Sequence, residues 1–195
     1  MKVQGRWRRA LELSGDRTVV VLDQVKLPYE VAWLRLDDLA AVERAIRDMH
    51  VRGAPLIGAT AACGVALGLA AGLPLDEIDR RLAATRPTAV NLRWALDRMR
   101  AALGGCDDRG GSAPCLDLDV ERAWDAAARI CDDEVARCEA IGQHGVALLA
   151  EAPRRRGGRD RDAIQVLTHC NAGWLATVDW GTALAPIYKA HERGL

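Results

Sequence analysis

No stretch of this sequence is apolar for long enough to span a bilayer, and no basic-then-apolar leader opens it. Neither sign of charge is in excess: Lys plus Arg and Asp plus Glu number 27 each. Such a balance lacks the positive field that draws nucleic acid or an anionic membrane surface, so neither is an expected partner. The six cysteines form no C-x-x-C pair and no paired metal-ligand spacing, and His169 beside Cys170 is not a zinc signature. These absences lead to the expectation of a reduced, cytoplasmic chain without a metal. What remains reads as globular. The 195 residues, 50% apolar and 28% charged, suffice for one large domain or two small ones.

The most informative stretch is Thr168-His169-Cys170-Asn171-Ala172-Gly173. It follows the apolar run Ile164-Gln165-Val166-Leu167 and precedes a segment in which Leu184, Ile187, Tyr188 and His191 share a helical face. The pattern predicts strand, tight turn and helix. A cysteine there lies at the carboxyl end of a strand and near a helix N-terminus. Unpaired backbone N–H groups at that edge favour a thiolate and a bound phosphate. The competing reading is a buried cysteine in a structural turn.

Upstream, residues 3–36 read as strands, chiefly Thr18–Leu22 and Val31–Leu36. Asp37 or Asp38 can cap the next helix, in which Leu39, Val42, Ile46 and Met49 keep helical spacing. Arg52-Gly53-Ala54-Pro55 interrupts it, and Pro55 suits the first turn of a buried, small-residue helix at about 56–72. An arginine at such a helix mouth is a candidate anion contact, and Arg86 stands in the same relation to the helix through Leu92, Leu96, Met99 and Leu103. For both, a surface arginine is the alternative. Residues 104–116 read as a glycine-rich loop holding Cys106 and Cys115.

A long helix is expected from Asp117 to about Glu151. Trp124, Ala128, Cys131, Val135 and Cys138 form its seam, and a kink is expected at Gly142 and Gly145, which bracket Gln143 and His144. The arginine-rich run that follows reads as a linker. The expected organisation is therefore an N-terminal domain at 1–152, a linker at 153–161 and a second unit at 162–195. That unit holds only one strand and one helix. A parallel strand needs neighbours and cover on both faces, so the chain is expected to end inside a domain.

Five strings in order resemble the methylthioribose-1-phosphate isomerase family of methionine salvage, a branch of methionine biosynthesis. They are Leu22-Asp23-Gln24 with Leu27-Pro28, Arg52 to Gly58, Arg86 to Leu92, Ile141 to Gly145, and Thr168 to Gly173 followed by Gly181 to Leu184. The family shares its fold with ribose-1,5-bisphosphate isomerase and with regulatory subunits of a translation-initiation exchange factor. Those regulatory relatives lack the Cys170 motif.

The resemblance implies an α/β fold class: an N-terminal domain of strands and helices, then the first βα unit of a Rossmann-like domain. It implies a homodimer that acts without a cofactor on a phosphorylated pentose. Arg52, Gly53, Ala54 and Arg86 would bind substrate and Cys170 would be catalytic. The family's acid/base aspartate has no counterpart among these residues, and Asp179 is expected to lie in the helix after the turn, pointing away from Cys170. This chain alone is therefore expected to be inactive. Trp174 and Trp180 depart from the family's smaller residues there.

Overall fold

A computed structural model describes residues 1–104, 116–155 and 164–195. Cys106, Cys115 and linker positions 156–161 lie outside the described residues. The described part combines strands and helices. Strand β1 (Lys2–Val3) pairs antiparallel with β2 (Arg6–Trp7). Strands β3 (Leu11–Leu13), β4 (Val19–Leu22) and β5 (Trp33–Leu36) form an antiparallel meander in that order. Val19 and Val21 are fully buried while Val20 between them is half-buried, the alternation of a sheet with one face on a core.

Helix α1 (Leu39–Arg47) starts where Asp38 accepts a hydrogen bond from the Ala41 N–H at 2.6 Å, and it buries Leu39, Val42, Ala45 and Ile46. It stops before Met49, which is half exposed with φ 62° in the left-handed region, so Met49 does not continue the apolar face as its spacing suggests. Such a residue just past a helix ends the 3.6-residue repeat. Helix α2 (Ala54–Ala70) has Pro55 in its first turn and is buried along nearly its whole length. It packs against α1, α3 (Leu75–Thr85), α4 (Val90–Leu103) and α5 (Leu116–Arg155). Small residues permit this. A Cβ placed on Gly58 would fall 2.8 Å from the Asn91 carbonyl oxygen, so α2 and α4 touch along their first turns.

Helix α5 spans 40 residues, about 60 Å at 1.5 Å per residue. Its first half lays Ala123, Trp124, Ala127, Ile130 and Cys131 on the core. Its second half receives α6 (Ala185–Glu192). The expected break at Gly142 and Gly145 is absent, and the helix continues through both. The glycines serve close packing instead. A Cβ on Gly145 would lie 2.6 Å from Pro186 Cβ, and one on Gly142 would lie 3.0 Å from Lys189 Cγ.

The last segment differs most from its sequence reading. Residues 164–169 carry no strand pairing and are exposed, Leu167 at 97%. No described strand lies alongside to take up the backbone N–H and C=O groups, and a strand cannot satisfy them by itself. The turn after Cys170 does not open a helix either. A single 3-10 turn at Trp174–Ala176 is followed by irregular chain to Leu184. Trp180 and Gly181 have positive φ, and helix resumes only where Pro186 sits in the first turn of α6. Asp179 consequently lies in a loop, where its carboxylate accepts from the Trp180 N–H and pairs with the Met1 ammonium at 3.0 Å.

Candidate functional site

Cys170 sits in the left-handed region, φ 67°, with an exposed side chain at the rim of a cavity of about 600 Å³. The walls are mainly apolar, among them Leu22, Leu27, Val31, Trp174, Leu175 and Tyr188. Lys2 and Met1, whose ammonium pairs with Asp179, are the cationic residues of the lining, and among the described residues no Asp or Glu lines the cavity. A thiol at the edge of an apolar hollow, without a carboxylate beside it, can supply one group for proton or hydrogen transfer but not a pair.

Two elements fix this geometry. The Thr177 hydroxyl donates to the Asp179 carbonyl at 2.8 Å and accepts from the Gly181 N–H at 3.0 Å, closing the loop that follows the 3-10 turn. The Trp174 ring stacks on Tyr188 of α6, centroids 3.8 Å apart and planes 3° from parallel. Trp180 stands 6.4 Å from Trp174 and 6.5 Å from Trp7, and Lys189 Nζ lies 3.5 Å over the Trp180 ring. Lys189 also pairs with Glu139 of α5 at 2.7 Å. Half of the chain's six Trp and two Tyr gather here; of the two tryptophans flagged in the sequence, Trp174 is a wall of the cavity and Trp180 packs behind it.

The other candidate residues do not line this cavity. Gly53, with φ 102°, caps α2 and abuts the Cys170 segment: a Cβ there would lie 2.5 Å from Ala176 Cβ. Arg52 and Ala54 flank it and are exposed. Arg86 ends α3 and is partly buried. Neither arginine side chain has a hydrogen-bond or ion-pair partner among the described residues, whereas Arg81 and Arg93 nearby are paired with Glu43 and Asp79. The contact of Gly58 with Asn91 sets the first turns of α2 and α4 side by side, so both candidate arginines precede adjoining helix starts. Gly53 thus joins the 50–54 loop to the cysteine segment.

Of the other described cysteines, Cys63, Cys131 and Cys138 are all buried. A hydrogen bond with Cys131 and then burial push the Cys63 thiol up. Burial, then the hydrogen bond to Glu134 at 3.1 Å, pushes Cys138 up to about 12. Tyr188 is raised by burial. The seam residue Ala128 is only half-buried, and Cys138 lies outside the main core cluster.

Residues 50–195 match the Initiation factor 2 subunit family. The chain belongs to this family. Among curated relatives, the methylthioribose-1-phosphate isomerase of Rhodospirillum rubrum is 53% identical over all of this chain and 50% of its own length. The Escherichia coli protein of the same name is 45% identical, with 100% of this chain and 51% of that protein covered. The chain therefore spans about half the length of the curated relatives it matches. Among solved structures, 5-methylthioribose 1-phosphate isomerase from Pyrococcus horikoshii superposes with TM-score 0.74 at 31% identity, over 97% of this chain and 51% of that one. Translation initiation factor eIF-2B, subunit delta, from A. fulgidus gives 0.73 at 32%, over 96% and 52%.

Sequence reasoning missed Asp23, Gln24 and His50 as a group. Asp23 and Gln24 carried meaning only as part of a string, although two adjacent polar residues directly after a buried strand were a usable signal. In the structure both are buried, and they reach across to the 50–54 loop and the cysteine segment.

Proposed function

We propose that the chain supplies part of an aldose–ketose isomerase that converts 5-methylthioribose 1-phosphate to 5-methylthioribulose 1-phosphate in methionine salvage. The observation that carries this reading is the identity of 45–53% to proteins bearing that name, sustained over the whole chain. The positions of the candidate residues support it. An aldose 1-phosphate is locked as a ring because its anomeric oxygen carries the phosphate. The ring must open, and hydrogen must pass from C2 to C1 as the C2 hydroxyl becomes the ketone. Arg52 and Arg86, at adjoining helix starts, would hold the phosphate with backbone N–H groups of Gly53 and Ala54. Cys170 would act on the transferred hydrogen, with the cavity walls excluding water. The complementary carboxyl group is not among the residues lining the cavity, so a full-length protein must bring it to this rim.

On this reading residues 1–152 are the N-terminal domain, 153–161 the linker, into whose first three positions α5 extends, and 162–195 the opening of a Rossmann-like unit. The strand at 164–167 then forms against strands from outside these residues. The full-length protein is a cytoplasmic homodimer. A second reading has its own support: the likeness to an initiation-factor subunit equals the likeness to an isomerase, TM-score 0.73 against 0.74. It makes the protein a non-catalytic binding module. The full-length protein, assayed for ketose formation from 5-methylthioribose 1-phosphate and from ribose 1,5-bisphosphate, separates the possibilities. Turnover of the methylthio substrate is expected. Turnover of the bisphosphate alone would redirect the substrate assignment, and turnover of neither, with phosphate-ligand binding intact, would establish the module.

A further inference from the structure

Asp23 and Gln24 leave the end of β4 and are both buried, at 6% and 2% exposure. The sheet fixes their backbone: the Leu22 N–H donates to Ala10 and the Asp23 N–H to Ala32, at 2.9 and 3.0 Å. From that platform they bind two distant segments. The Gln24 N–H donates to the His50 carbonyl at 3.0 Å, and Asp23 Oδ1 meets His50 Nδ1 at 2.8 Å. Gln24 Nε2 donates to the Leu175 carbonyl at 2.6 Å, across 151 positions of sequence. The two segments so held touch each other where Gly53 abuts Ala176.

We infer that Asp23 and Gln24 are positioning residues that hold the 50–54 loop and the Cys170-bearing segment in one register. The catalytic part of this inference rests on the isomerase reading. Gln24 is a poor choice for stability alone, because its Oε1 is buried without a hydrogen-bond partner among the described residues. An apolar side chain of similar volume would avoid that desolvation. The amide is explained by what its other half holds: a main-chain carbonyl five residues beyond Cys170. Among the described residues, this tie and the contact of Gly53 with Ala176 are what relate the cysteine segment to the 50–54 loop.

The test compares Gln24→Met and Gln24→Glu in the full-length protein with wild type, by thermal unfolding, turnover and hydrogen exchange. Gln24→Met gives up the bond to the Leu175 carbonyl and relieves the unpaired Oε1, two opposing effects, so its melting temperature should stay close to that of wild type. Its kcat should nevertheless fall about tenfold or more while KM changes less than about threefold, since the loss is one of alignment. Peptides covering 48–54 and 172–178 should exchange faster together, with α4 unchanged. Gln24→Glu should regain activity as pH falls, because only the neutral carboxyl group donates to the Leu175 carbonyl, and wild type should show no such rise. Unchanged exchange at both peptides would overturn the clamp. Changed exchange with unchanged kcat in Gln24→Met would overturn its catalytic role. If wild type turns over neither sugar phosphate, the isomerase reading falls, and exchange alone decides whether the clamp exists.

Discussion

Helix α2 and the stretch 164–181 are both rich in apolar residues, yet one is buried along nearly its whole length and the other begins with seven exposed positions, 164–170. The difference is one of partners. A helix satisfies its backbone hydrogen bonds internally, and α2 then finds four other helices of the same chain to cover its surface. A strand needs a second strand before its own backbone is satisfied. Apolar sequence thus folds here where the chain itself provides the complementary surface, and stays irregular where it does not.

The largest effect that sharpens this contrast is a pair of truncations. Leu56 on α2 is fully buried, and Leu56→Ala should cost about 2–5 kcal/mol in chemical denaturation. Leu167→Ala, at a position 97% exposed, should fall within about 0.5 kcal/mol of wild type in this chain. Equal losses at the two positions would mean that 164–167 is covered in solution. In the full-length protein, the same Leu167→Ala substitution becomes costly if the proposed sheet forms.

That contrast also explains what could be read in advance. Most of the buried face of α1, an aspartate cap at 37 or 38, Pro55 in the first turn of α2 and the face of α4 follow from local periodicity and capping chemistry, which need only neighbouring residues. Cys170 stood out as a candidate from its string, and the structure places it at a cavity rim. The clamp through Gln24 was not legible, because its partner is a main-chain carbonyl 151 residues away and any residue could supply it. The position of Asp179 was misread for a different reason. Thr177, Asp179 and Gly181 form a side-chain-closed loop, and their spacing was a turn signal that the helical spacing of 184–191 obscured.

Next in size is Cys170 itself. In the full-length protein, Cys170→Ala should lower kcat by about 100-fold or more with a smaller change in KM, as expected of a group that acts in hydrogen transfer. Retention of kcat within about tenfold, roughly 1.4 kcal/mol of barrier, would make it structural. Thiol labelling of the native chain tests the same contrast between regions. Exposed Cys170 should react while buried Cys63, Cys131 and Cys138 resist, and rapid modification of Cys131 would contradict its place between α2 and α5.

A smaller effect is expected at the joint between the regions. Gly145→Val would drive side-chain carbon into Pro186 and should cost about 1–3 kcal/mol by forcing α6 from α5. Hydrogen exchange should rise in 185–192 and in the Trp174–Tyr188 contact region while α2 stays protected. Uniform acceleration across α2 as well would show that the two regions unfold as one unit.

The effect hardest to see near neutral pH is a slope with pH. Cys138 lies between the regions, on α5, with its thiol bonded to Glu134 and close to Thr177 of the irregular segment. Burial, then Glu134, raises its folded-state value from 9.0 to about 12. Above about pH 9 the unfolded chain therefore releases a proton that the folded chain keeps, so unfolding is favoured as pH rises, and this contribution is lost progressively toward pH 12. Cys63 shifts in the same direction, so the background slope is not zero. Denaturant midpoints taken across that range should fall less steeply for Cys138→Ala than for wild type, whatever the variant's stability at neutral pH. Parallel slopes would mean that Cys138 is open to solvent, and that the irregular segment does not cover α5 at this position.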